Sequence, residues 1–316
     1  MRHLSAFLLL TSTLFMSGCE GLAHWAYESG LSLEKSRAGL QDQTLTTADG
    51  IRWHLLRSEA AAERPVVLLI HGFGADSSNW LRFANELEGD FHFVIPDLPG
   101  HGQTTRTTDL DYTMAEQASR LVMLMDALDI HQYHVAGNSM GGAITLALAQ
   151  QAPDQVLSIG LVDSAGLTRQ TREFKEILAT SDSNPLIPRS PEDFHTTLKW
   201  AMEDAPYMPD FFVDVMGEKK AANAAVADKI WLDLQDDPGM SLEASDRLGS
   251  ITEPALVLWG REDRLLGVDN VAVFVERLPN ARAVILDDIG HVPMAEAPRK
   301  SADAFRTFWL EAKTES

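Results

Sequence analysis

The stretch YHVAGNSMGGAITLALAQQAP, residues 133–153, restricts the fold more than any other part of the chain. It runs from a short apolar segment into an Ala/Leu-rich helical segment, with only a turn between them and Pro153 past the end. Similar continuous apolar runs recur at PVVLLI (65–70), HFVIP (92–96), VLSIGLV (156–162), PALVLWG (254–260) and ARAVIL (281–286). Continuous rather than alternating runs suit strands buried on both faces. Amphipathic stretches separate them; in YTMAEQASRLVMLMDALDI, residues Leu121, Leu124, Met125 and Leu128 fall on one face. This alternation predicts βαβ units: a mostly parallel central sheet flanked by helices, an α/β fold. QTLTTADGIRWHLL, from residue 43, reads as two short strands around Asp49–Gly50, a hairpin signal. The rhythm lapses between residues 168 and 248, a helical and irregular stretch that includes Pro185, Pro188, Pro191, Pro206 and Pro209. One core, 43–167 plus 249–316, with a helical insertion at 168–248, is the simplest organisation.

GNSMG (137–141) fits G-x-S-x-G, a weak pattern by itself but here set between a buried strand and a helix. A serine in so sharp a turn has no room for neighbouring side chains, hence Gly137 and Gly141. The N–H of Met140, opening the helix, would face an oxygen that develops charge. Serine needs a base to take its proton. His291, in DIGHVP, follows the last strand and is placed for that role. His71 and His101 sit beside glycines and read as hydrogen-bonded loop residues. No histidines show metal-ligand spacing, so neither a metal nor another cofactor is expected. The imidazole in turn needs an acid. Asp263, in WGREDRLL, follows the penultimate strand; Asp163, after VLSIGLV, is the alternative, and Asp97 reads as structural. The second amide for the oxyanion belongs in HGFGADSSNW, after PVVLLI, with the Phe73 N–H as the candidate.

HGFGAD..NW, DLPGHG, GNSMGG, WGREDR and GHVPMAEAP occur in that order, and together they resemble the α/β-hydrolase superfamily from about residue 43 to 312. HGFGA…NW with GNSMGG is most similar to membrane-attached bacterial lipase/phospholipase A and monoacylglycerol lipase enzymes. The resemblance implies a triad of Ser139, Asp263 and His291, and a cap where the insertion falls. Dehalogenases and epoxide hydrolases carry Asp at the nucleophile position, so Ser139 argues against both. Trp200, Met208, Phe211, Phe212 and Met216 in the insertion pair flexible Met with aromatics, as an adaptable acyl-chain pocket would.

Twenty-six basic residues against 46 acidic give a net charge of −20, which repels phosphate backbones and excludes nucleic acid as a natural partner. The only cysteine is Cys19, so neither an intrachain disulfide nor a CxxC zinc site can form. Residues 1–19 have signal-peptide grammar: Arg2, an apolar run over 4–16, then Ser17 and Gly18 before Cys19. The run is shorter than the ~20 residues that span a bilayer. It resembles a bacterial lipoprotein signal with Cys19 as the lipidated residue, although Met16 stands where that signal has Leu, Val or Ile. The alternatives are an uncleaved anchor over 4–27 with Trp25 and Tyr27 at the interface, or an apolar N-terminal helix on a cytoplasmic protein. Residues 20–42 read as a juxtamembrane helix or linker, and the N-terminal helix offers a homodimer contact. The expectation is a serine carboxylic-ester hydrolase on the membrane of a bacterial cell envelope, with a periplasmic catalytic domain and acyl-ester lipids as substrates. The rivals are a C–C bond hydrolase of ring-cleavage products and a non-catalytic ligand-binding homologue.

Overall fold

The structure is a computed structural model describing residues 21–59, 64–167, 169–181, 183–242 and 246–312. The signal segment and Cys19 lie outside the described residues. Eight strands form one sheet in the order β1-β2-β4-β3-β5-β6-β7-β8. They are β1 (Leu40–Thr46), β2 (Arg52–Ser58), β3 (Val66–Ile70), β4 (His92–Pro96), β5 (Tyr133–Asn138), β6 (Val156–Val162), β7 (Ala255–Gly260) and β8 (Ala281–Leu286). β1 and β2 pair antiparallel around the Asp49–Gly50 turn, and β2 runs antiparallel to β4; every other pairing is parallel. The first strand starts at Leu40, three residues ahead of the sequence pattern. The three extra residues, Leu40, Gln41 and Asp42, pair with Ser58, Arg57 and Leu56, but polar Gln41 and Asp42 conceal the strand period.

The apolar runs are strands because each face of the sheet is covered. In β3, Leu68 and Ile70 enter one core, and Val67 and Leu69 the other. On the first face lie α3 (Met114–Ala127), α4 (Met140–Gln151) and α9 (Asn270–Arg277). On the second lie α2 (Leu81–Glu86) and α11 (Pro298–Ala312), where Phe83, Phe305 and Trp309 pack ring to ring. Between β6 and β7 the chain leaves the sheet for α5 (Arg172–Thr180), α6 (Pro191–Ala201), α7 (Asp210–Ala221) and α8 (Ala224–Gln235). α6 has a full start signal: Ser190 accepts from the Asp193 N–H, Pro191 opens the helix, and Glu192 and Asp193 oppose its positive end.

Residues 21–37 form a helix, α1, that lies against this excursion. The Tyr27 ring meets that of Phe212 at 5.8 Å. His24 reaches Glu218 at 2.9 Å, and Lys219 bonds Glu28. No helix among the described residues is long and apolar enough to cross a membrane. The short helix α10 (Pro293–Glu296) follows β8 and precedes α11.

Candidate active site

β5 ends at Asn138 and α4 begins at Met140, so Ser139 alone makes the turn, with φ 56° and ψ −120°. A non-glycine residue holds such a conformation only where its surroundings enforce it. A Cβ on Gly137 would sit 2.0 Å from the Gly141 carbonyl oxygen, and one on Gly141 would sit 2.5 Å from that of Ile70. The two glycines are thus fixed by close backbone approach. The Ser139 N–H donates to the Val162 carbonyl, and the side chain of Asn138 donates to Val162 and to the His291 carbonyl. The serine turn and the histidine loop are tied through that asparagine.

His291 and Asp263 meet across 28 residues. Nδ1 of His291 lies 2.7 Å from Oδ2 of Asp263, and both residues are buried. The Asp263 carboxylate also accepts from the Leu265 and Leu266 N–H groups at 2.8 and 3.0 Å. These two backbone donors fix the carboxylate in place, with Oδ2 turned to the imidazole Nδ1. Gly72 and Ser139 approach so closely that a Cβ on Gly72 would stand 3.1 Å from that of Ser139. Phe73 follows on the same loop. Neither the Phe73 nor the Met140 backbone N–H has a protein acceptor among the described residues.

His71 and His101 are loop histidines with structural bonds. His71 Nδ1–H donates to the Gly72 carbonyl, and Nε2 accepts from the Leu98 N–H. Burial pushes both rings toward the neutral form, His101 down to about 3 with help from adjacent His71. Asp97 is a clamp: it accepts from the Ser77 and Gln103 N–H groups and meets His54 Nδ1 at 2.8 Å.

Ser139, His291 and Phe73 open on one cavity of about 280 Å³. Met208, Phe212 and Met216 line it. Trp200 and Phe211 do not: Trp200 packs on Phe174 at 5.9 Å, and Phe211 is half-exposed beside Phe212. Tyr27, Gly30, Leu31 and Glu34 of α1 form another wall. Sequence reasoning gave these residues no role in the site, although Tyr27, Leu31 and Glu34 repeat at helical spacing. Two ion pairs stand in the lining: Lys220 with Asp76 at 2.8 Å, and Arg82 with Glu34 at 3.6 Å. Burial would raise the Asp76 pKa, but the Lys220 ammonium outweighs it and holds the carboxyl well below its usual range.

Glu296 also escaped sequence reasoning. Its carboxylate accepts from the Gly290 and Val292 N–H groups either side of His291, and from those of Glu203 and Asp204 just past α6. The His291 N–H donates to the Ala201 carbonyl at 2.9 Å. The histidine loop and the end of α6 are therefore one hydrogen-bonded unit. A Glu five residues after a His carries no pattern that announces such a role.

The chain is 34% identical over 301 residues to Lipase 3 of Moraxella sp. (strain TA144), covering 94% of each chain. It is 27% identical over 248 residues to a Homo sapiens monoacylglycerol lipase, covering 76% of this chain and 73% of that one. A crystal structure described as a membrane phospholipase A, a bacterial virulence factor, superposes with a TM-score of 0.88 at 33% identity, covering 99% of each chain. The family model for the alpha/beta hydrolase fold matches residues 65–298, and with the sheet order and the serine turn above it, the chain belongs to the α/β-hydrolase family.

Proposed function

We propose that this chain is a serine ester hydrolase of the lipase, phospholipase A or monoacylglycerol lipase type, acting on acyl-ester lipids at a membrane. The observation that carries the proposal is a strained Ser139 sharing an apolar cavity with a His291 that is hydrogen-bonded to a buried carboxylate. Ser139 Oγ attacks the ester carbonyl as His291 Nε2 takes its proton. Asp263 keeps the tautomer with Nδ1–H and stabilises the imidazolium. The unpartnered Phe73 and Met140 N–H groups receive the oxyanion; one such donor is worth ~3–4 kcal/mol in the transition state. His291 then protonates the leaving alcohol, and water releases the acyl group by the same steps. Met208, Phe212 and Met216 hold the acyl chain, and residues 168–248 act as the cap.

Attachment to the membrane is proposed through the N-terminal segment, by lipidation at Cys19 or insertion of the helix containing it. Its support is the lipoprotein-like signal and the exposed apolar side chains Leu22 and Trp25 near the start of α1. Mass spectrometry of the native N-terminus separates the two modes. The catalytic proposal is tested with a fluorophosphonate probe, which is expected to label the wild-type protein and not Ser139→Ala. Equal labelling of the variant would overturn it. A screen of acyl lengths on glycerol and phosphoglycerol headgroups then assigns the substrate.

A further inference from the structure

The triad leaves one acidic group in the site unused. Asp163 follows β6 with φ 43° and is fully buried. Its Oδ1 accepts from the Gly260 N–H at 3.0 Å, while its Oδ2 is buried without a conventional partner. One ligand atom each from Asp163, Asp263 and His291 lie within 4.8 Å of one another. Two buried carboxyl groups thus stand together near one imidazole, which bonds only Asp263.

The ionisable groups that face Asp163 are Asp263, His291 and Glu296. None is a permanent cation. Two adjacent carboxylates cannot both stay ionised in a dry site. The hydrogen bonds decide which one keeps its charge. Asp263 accepts from two backbone N–H groups and from His291. Asp163 accepts from a single backbone N–H. The negative charge is best satisfied on Asp263, and the proton belongs on Asp163.

We propose that Asp163 carries a proton and donates it in a hydrogen bond to the Asp263 carboxylate, so that the triad acid is a carboxyl pair sharing one negative charge. Asp163 is then a positioning residue, acting on His291 through Asp263. The inference rests on the triad assigned above. Burial, and next the charge of Asp263, push the Asp163 carboxyl well above its usual range, in the same direction. A donated hydrogen bond draws charge from Asp263 and weakens its hold on the imidazolium. His291 therefore stays neutral, and able to act as a base, to lower pH than it would beside a lone carboxylate.

The test is the acid limb of kcat/KM against pH on a soluble short-chain ester, which reports the base in the free enzyme. Asp163→Asn keeps an acceptor for Gly260 and a donor for Asp263 without changing the net charge, so the limb is expected to stay in place. Asp163→Gly removes the donor at a backbone conformation glycine adopts without strain. There the limb is expected to move up by about one pH unit. If Asp163 were ionised, both substitutions would delete a negative charge beside His291 and move the limb down, which would overturn the proposal. The infrared carboxylic-acid band of aspartate-labelled wild-type protein near neutral pH is a second readout, and it needs no variant to fold. Its presence supports the proton and its absence removes it. The triad fails separately, through fluorophosphonate labelling of Ser139→Ala.

Discussion

Asp97 shows how much of this site hangs on single carboxylates. Its two oxygens bind the Ser77 N–H beyond the Phe73 loop, the Gln103 N–H in the turn after β4, and His54 on β2. Burial would lower the His54 pKa, but Asp97 and Asp42 outweigh it and raise it; burial would raise that of Asp97, but His54 outweighs it and lowers it. The raised histidine contributes stability fully below its ordinary pKa and loses it as pH rises through the folded value. The depressed carboxylate contributes above its ordinary pKa and loses it as pH falls through the folded value. The pair is thus strongest in the window between the two ordinary pKa values. Asp97→Asn turns an amide N–H toward these donors and is expected to cost about 3 kcal/mol, read by urea unfolding, with the loss largest inside that window. An equal loss at every pH would refute the linkage. At this scale Ser139 and His291 were legible because a turn motif and a loop after the last strand mark them. Asp97 and Glu296 gave no functional signal, and Asp163 gave only that of an alternative triad acid, because each acts on backbone N–H groups or side chains far away in sequence, and no local pattern records such partners.

Among the elements, the sheet was the easiest to read and α1 the hardest. Strands such as β3 announce themselves because both faces are buried and every residue is apolar. α1 exposes Leu22, Trp25 and Leu33 and buries a narrow stripe, so its sequence looks like that of a linker. Its contacts with α7 make it a wall of the cavity, and that wall can be moved. A Cβ on Gly30 would stand 3.2 Å from the Phe212 ring. Gly30→Leu therefore pushes into the apolar lining, and Phe212→Ala enlarges it. The expected result is a roughly tenfold fall, for Gly30→Leu, in kcat/KM on long-chain relative to short-chain p-nitrophenyl esters. Phe212→Ala shifts the preference the other way. Parallel losses on all chain lengths would mean that α1 supports the fold and does not shape the acyl site.

The molecule as a whole sets an electrostatic condition on any membrane it works at. Its net charge is −20, whereas the proposed substrates lie in a surface that is often anionic itself. Adsorption must then come from apolar contact, for which α1 offers Leu22 and Trp25, the latter an aromatic of the kind that collects at interfaces. Charge opposes this contact over a Debye length of about 8 Å at physiological salt and about 3 Å at 1 M. The full-length protein is therefore expected to co-sediment more with zwitterionic phosphatidylcholine vesicles than with vesicles containing phosphatidylglycerol. Added salt should narrow the gap by raising binding to the anionic vesicles and leaving the zwitterionic ones nearly unchanged. Trp25→Glu should weaken binding to both. Tighter binding to anionic vesicles that falls with salt would instead reveal a local basic contact strong enough to override the global charge, and would remove the apolar face of α1 as the explanation for membrane contact.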